Sequence, residues 1–255
     1  MPKNSHSDEK SLRLRERIGL KLPVRVHGRD SVDTEWMEMS RLLDVTPFGA
    51  RLSLKRPTER GRLLYLTLAM PPKLRCFDHI EDQYRVWSLV RNVKLLEPGA
   101  AALVEIGVAF VGKHPPRSFA SDPSRRYEVA PSGVGTGLWS VKEESDEVIS
   151  ELLGTDKRKE SRHTIPIDVL IEVFGENGEI SQSERTVTEN ISRQGAAVFT
   201  TLEVTPGRFV KVTSAQSATS RLATVRGRRA GPDGIPRLHL EFVGGEWPLE
   251  SIGSV

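Results

Sequence analysis

Cysteine is almost missing from this chain: Cys76 is the single copy in 255 residues. No internal disulfide can form, and a lone thiol among scattered histidines offers no ligand set at metal spacing, which excludes a structural zinc. Long apolar runs are missing too. The longest candidate, Ala100 to Gly112, is broken by Glu105, whereas a helix that crosses a bilayer needs about 18 to 20 apolar residues. No membrane span is expected. Met1 to Lys10 is polar throughout and has no apolar core of a secretory signal, so the expected location is the cytoplasm. Aromatic residues are few, with 4 Trp, 3 Tyr and 8 Phe. The core must therefore rest on Val, Leu and Ile, which favour strands when they alternate with polar residues. A charge excess is absent as well. Lys and Arg number 37 against 34 Asp and Glu, a net charge of +3, too little to mark a nucleic-acid coat or an anionic-membrane binder. Any anion site must come from local clustering. The histidines pair with no Ser or Cys nucleophile, and no nucleophile, base and orienting group cluster in sequence, so no enzyme is expected.

What is present is a repeat. Arg13 and Arg17 recur as Arg158 and Arg162, Asp44-Val-Thr-Pro-Phe-Gly49-Ala as Asn190-Ile-Ser-Arg-Gln-Gly195-Ala, and Gly61-Arg62 as Gly207-Arg208. Further on, Val90-Arg91 answers to Val225-Arg226 and Phe110-Val-Gly112 to Phe242-Val-Gly244. The second copy is shorter in its later loops by about a dozen residues, where insertions and deletions belong. Each copy shows short alternating segments bounded by Gly, Pro and charged turns. In the first they run from Leu20 to His27, Glu35 to Val45, Ala50 to Leu54, Arg62 to Leu68, Arg85 to Leu95 and Leu103 to Val111. In the second they run from Ile165 to Phe174, Glu184 to Glu189, Ala196 to Thr200, Arg208 to Thr213, Ser220 to Arg228 and Arg237 to Val243. Six short strands and little helix per copy predict a small closed antiparallel barrel, because closure removes exposed edges.

The expected organisation is all-β: two tandem six-stranded antiparallel barrels, one over 12–112 and one over 156–248. A Pro-, Ser- and Gly-rich flexible linker is predicted over 113–140. An acidic amphipathic helix is predicted over 141–154, with Val141, Val148, Ile149, Leu152 and Leu153 on one stripe and Gly154 at its C-cap. The acidic face of that helix, Glu143 to Glu151, runs directly into Lys157, Arg158 and Arg162. The four tryptophans are assigned to core or interdomain grooves.

Guanidinium groups bind phosphate oxygens bidentately, and the same fork matches the O6 and N7 acceptors of guanine. Asn190 and Ser192, two apart, offer a carboxamide and a hydroxyl to a base edge. Gly195 is expected to supply the positive φ of a tight turn. Taken alone, arginines four apart are ordinary on a solvated helix face, and Asn with a later Gly is ordinary turn chemistry. The joint pattern, Arg-x-x-x-Arg, then Asp/Asn-x-Ser/Thr-x-x-Gly-Ala, then a strand ending in Phe-x-Gly, resembles the PilZ domain family. It occurs twice, over Leu12 to Gly112 and Lys157 to Gly244.

The resemblance implies a six-stranded antiparallel barrel whose ligand is the bacterial second messenger cyclic di-GMP, with no further cofactor and no metal. It implies that Lys157, Arg158 and Arg162 wrap the ligand and that Asn190, Ser192 and Gly195 form its floor. The counterparts in the first copy are Arg13, Arg17, Asp44, Thr46 and Gly49, where Leu12 replaces the basic residue before the arginine. The second barrel is therefore ranked as the binder, and the first as a weaker binder or a docking domain. His239 stands where the first copy has Gly107 and is assigned to packing. The function implied is a cyclic di-GMP receptor that signals by reorienting its two barrels, with a protein partner in motility, pilus or exopolysaccharide machinery. The alternatives are a ligand-independent protein–protein adaptor and a small basic barrel that binds nucleic acid. Arg221, Arg226, Arg228 and Arg229 serve the last reading, or simply a solvated barrel face.

Overall fold

The computed structural model describes residues 19–97, 100, 102–131, 139–143 and 163–249. Alternation decides the strands. In β1 (Pro23–Ser31), Val24 and Val26 point into a core while Arg25, His27 and Arg29 point out, the period of two that a half-buried strand requires. β2 (Thr34–Thr46), β3 (Gly49–Leu54), β4 (Leu63–Leu68), β5 (Tyr84–Leu95) and β6 (Val104–Gly112) follow, and these strands close in the order β1-β2-β3-β6-β5-β4. Every neighbouring pair is antiparallel. The interior is filled by Val24, Leu52, Leu66, Val86, Ile106 and Phe110, all fully buried, and by Trp36. Gly28 makes room for that indole, since a Cβ there would lie 2.3 Å from the Trp36 ring.

The second barrel repeats the plan. β9 (Asp168–Phe174), β10 (Ile180–Ile191), β11 (Gly195–Phe199), β12 (Phe209–Ser214), β13 (Thr219–Ala230) and β14 (Pro236–Val243) close as β10-β11-β14-β13-β12-β9. Its core holds Ile171, Ile191, Val198, Val210, Val225 and Leu238, capped by Trp247 stacked on Phe242 at 5.3 Å between ring centroids. The all-β expectation of two six-stranded antiparallel barrels is what the chain forms.

Two expectations between the barrels need correction. The predicted helix stripe begins at Val141, but Trp139–Glu143 is a strand, β8, paired with β7 (Tyr127–Pro131) in a two-stranded ribbon. Val141 sits opposite Val129, and both pack against Leu63 and Leu89 on the outside of the first barrel. Cross-strand pairing of β-branched side chains over an apolar patch wins over helical periodicity here. The rest of that prediction, 144–154, lies outside the described residues. The stretch from residue 113 also contains more than a flexible linker. Phe119, in the short helix α1 (Ser118–Ser121), and Tyr127 are buried in the same patch, so the Pro- and Ser-rich composition hid two aromatic anchors.

The barrels meet through buried charge. Arg62, only 3% exposed, lies over the Phe209 ring. It donates to the carbonyl of Gly207 at 2.6 Å and to that of Pro123 at 3.0 Å, and its Nε reaches Glu59 at 3.0 Å. Glu59 also accepts both terminal nitrogens of Arg226, at 3.0 and 2.5 Å, and Arg226 Nε donates to Glu241 at 2.6 Å. Arg56 bridges Asp30, at 2.6 Å, and the Gly175 carbonyl. Leu95 and Leu103 pack beside this network on Phe174, Phe209, Leu222 and Val243. Gly207, at φ +91°, approaches so closely that a Cβ would lie 2.0 Å from the Asp30 carbonyl oxygen. The Gly61-Arg62 and Gly207-Arg208 repeat in the sequence is thus a pair of contact points facing across the junction.

Candidate functional site

Both barrels carry the same device at the repeated motif. β2 has an irregularity between Leu42 and Asp44, and β10 has one between Thr188 and Asn190. Such a bulge inserts one unpaired residue and re-aims its neighbour. Here it turns Asp44 and Asn190 away from the core, opposite Arg51 and Ala197 respectively. A matching irregularity in β5 (Val90 to Asn92) and β13 (Val225 to Gly227) frees Arg91 and Arg226. The result is one outward row per barrel, one residue to a strand. In the first barrel it reads Asp44, Arg51, Gly107, Asn92. In the second it reads Asn190, Ala197, His239, Gly227.

The rows are filled differently. In the first barrel Arg51 Nε donates to Asp44 at 2.8 Å and its Nη1 to Glu105 at 2.9 Å. The hydrogen bond and charge of Asp44 push the Arg51 guanidinium above its ordinary value. In the second barrel a methyl group, Ala197, replaces the arginine. The Asn190 Oδ1 is buried and accepts no hydrogen bond, while its Nδ2 reaches Glu189 at 3.4 Å.

Ser192 is tied into its own turn: its hydroxyl accepts the Gly195 N–H at 3.2 Å, and its amide donates to the Gly195 carbonyl at 2.8 Å. Thr46 does the same in the first barrel, accepting from the Phe48 amide at 3.2 Å. Gly195 is not a positive-φ glycine, contrary to the expectation from sequence. It is needed for proximity: a Cβ would lie 2.2 Å from the Leu240 carbonyl oxygen, and one on Gly49 would lie 2.2 Å from that of Val108.

Arg13, Arg17, Lys157, Arg158 and Arg162 lie outside the described residues. The chain resumes at His163, whose amide donates to the Ile191 carbonyl at 2.8 Å and whose carbonyl accepts the Ile191 amide at 3.0 Å. Ile191 stands between Asn190 and Ser192, so the bridge ties His163 to the candidate floor. The sequence carried no sign of this bridge, nor of the bulges.

The arginine cluster on β13 does not form one surface. Arg226 belongs to the interbarrel network, Arg221 donates to the Glu246 carbonyl at 2.7 Å, and Arg228 and Arg229 are exposed. The tryptophans are structural: Trp36 and Trp247 in cores, Trp87 against Phe119, and Trp139 beneath Arg91. Among the described residues no cluster of His, Cys, Asp and Glu is arranged to hold a metal ion, and no helix is long and apolar enough to cross a membrane.

No curated protein matches the chain. Solved structures similar to it include the Bacillus subtilis inhibitor of motility MotI/DgrA, at 14% identity over 92% of this chain and 93% of that one, with a TM-score of 0.31. Borreliella burgdorferi PlzA in complex with c-di-GMP is 10% identical over 93% and 91%, with a TM-score of 0.29. Escherichia coli YcgR in complex with c-di-GMP is 13% identical over 91% and 80%, with a TM-score of 0.28. Residues 156–247, which hold the second barrel, its outward row and the Lys157 to Arg162 segment, match the family model of the PilZ domain.

Proposed function

We propose that the protein is a cyclic di-GMP receptor and that the second barrel holds the ligand. The observation that carries this reading is the buried, unpaired Asn190 Oδ1 beside the strand bridge of His163 with Ile191. An acceptor left unpaired costs about 1 to 3 kcal/mol, and the ring and amino N–H groups of guanine supply the missing donors. Arg158 and Arg162, with Lys157, are the residues that meet the phosphates and the guanine. Gly195 and Ser192 shape the turn beneath. In the first barrel, Arg51 already occupies the Asp44 carboxylate, which is where a guanine would donate. The barrel keeps the floor but fills it from within, and this favours a docking role for it.

Titration calorimetry with cyclic di-GMP tests the reading. Wild type gives one binding event, and Arg158→Ala/Arg162→Ala loses at least about a hundredfold in affinity, or about 2.8 kcal/mol at 1.4 kcal/mol per decade. No heat with wild type would end the receptor reading and leave a protein–protein adaptor. In the same assay Arg51→Ala, made on the Arg158→Ala/Arg162→Ala background, removes the Arg51 ion pair with Asp44 and unmasks weak binding at the first barrel through Arg13, Arg17 and Asp44.

A further inference from the structure

His239 is the residue of the second row for which the first barrel has no counterpart side chain: Gly107 occupies that position. Leu238 and Leu240 on either side of it are buried in the core, so strand alternation aims His239 outward, into the row with Asn190. The strand between them contributes only the Ala197 methyl, which is itself 1% exposed beneath its neighbours, and the strand beyond contributes Gly227, which has no side chain. Asn190 and His239 therefore stand two strand spacings apart, about 9 to 10 Å, with low residues between and beyond them. His239 is half-buried and already in contact with its surroundings.

We propose that His239 is a ligand-contacting, specificity-determining residue, forming with Asn190 the two walls that grip one purine of the cyclic dinucleotide over Ala197. The inference rests on the receptor reading above and adds the residue that selects the base. Asn190 meets the guanine edge that donates hydrogen bonds. The imidazole N–H meets the opposite edge, where guanine presents O6 and N7 as acceptors and adenine presents an amino group at the position of O6. A site built around that donor rejects adenine, because the mismatched polar groups are left unpaired. The first barrel, with glycine at this position, has no second wall.

The test is titration of the full chain with cyclic di-GMP and with cyclic di-AMP. His239→Gly weakens cyclic di-GMP binding at least about tenfold and narrows the preference over cyclic di-AMP. His239→Gln keeps a side-chain donor and retains affinity within about threefold. A melting curve accompanies each variant, and His239→Ala substitutes for the glycine variant if that one unfolds. Wild-type affinity and wild-type base preference in both His239→Gly and His239→Ala overturn this inference while the receptor reading stands. Loss of affinity for both dinucleotides in equal proportion, or in His239→Gln as much as in His239→Gly, reduces His239 to a structural residue. Absence of any wild-type binding removes both readings together.

Discussion

Glu59→Gln is the sharpest probe of how the barrels are joined. The carboxylate has 5% of its side chain exposed and sits between Arg62, at 4%, and Arg226, at 27%. Removing its charge leaves Arg62 buried with no directly paired carboxylate: the remaining hydrogen-bond partners of that guanidinium are backbone carbonyls, and Asp30 acts on it only through its charge at longer range. Breaking one partner out of a buried pair costs about 3 to 5 kcal/mol. The lower end applies, since Arg226 keeps Glu241 at 2.6 Å. For a unit of this size each kcal/mol lowers the melting temperature by about 2 to 4 °C, so a loss of about 3 kcal/mol lowers it by about 6 to 12 °C. Scanning calorimetry reads this directly, with Glu176→Gln on an exposed loop as the control expected to change stability by no more than about 0.5 kcal/mol. Two separated transitions in Glu59→Gln, where wild type shows one, mean that the network couples two barrels that fold separately. A shift no larger than that of Glu176→Gln refutes the assignment of the network as the joint.

Two further outcomes follow from the second barrel. Gly195→Ala drives a methyl to 2.2 Å from the Leu240 carbonyl oxygen, so β11 and β14 must part locally. Stability falls by about 1 to 3 kcal/mol in urea titration and ligand binding falls with it, whereas Gly227→Ala, which meets nothing within 4 Å, folds normally. Hydrogen bonds from Arg237, joined by the Ile235 amide, hold the Asp233 carboxyl at about 2 against an ordinary 3.8. A folded-state value below the unfolded one stabilises above about pH 4, and that contribution is lost as pH falls towards 2. Asp233→Asn therefore flattens the acid limb of stability against pH over that window, and an unchanged limb would show that the Arg237 contact contributes nothing.

The strands were legible because period-two alternation is local: Val24 and Val26 against Arg25 and His27 need no tertiary information. The repeat was legible because the same bulge and close approach demand the same residues twice, as at Gly49 and Gly195. What alternation does not encode is the extra residue of a bulge, so Leu43 and Glu189 looked like ordinary strand positions. The reason for Gly195 was misread, since a sequence cannot distinguish a glycine needed for φ from one needed because a neighbouring strand's carbonyl lies too close. Phe119, Tyr127 and Val141 were hidden by the composition around them; their partners, Leu63 and Leu89, lie far away in sequence. Arg226 read as surface charge because one of its two counter-ions, Glu59, belongs to the other barrel and the other, Glu241, lies on a different strand.

Sequence repeats are usually read for what they share, yet here the two copies do different things with shared geometry. The bulge in β5 aims Arg91 at Trp139, and the same bulge in β13 aims Arg226 across the junction to Glu59. Arg226 is directly followed by Gly227, the row position opposite His239. Gly195 is registered with Glu241, which holds Arg226 and also Arg126, at 3.1 Å. Burial alone would raise the Glu241 carboxyl, but those two arginines outweigh it and keep it low. The strands that floor the candidate site thus supply the charges that fasten the first barrel. A wholesale reorientation of the barrels, as expected from sequence, would have to expose Arg62 and part Glu59 from Arg226, at a cost of several kcal/mol. A displacement of β13 or β14 at the row reaches Glu59 through one side chain and needs no such separation. The geometry therefore favours small adjustments at a standing interface over a hinge between independent barrels.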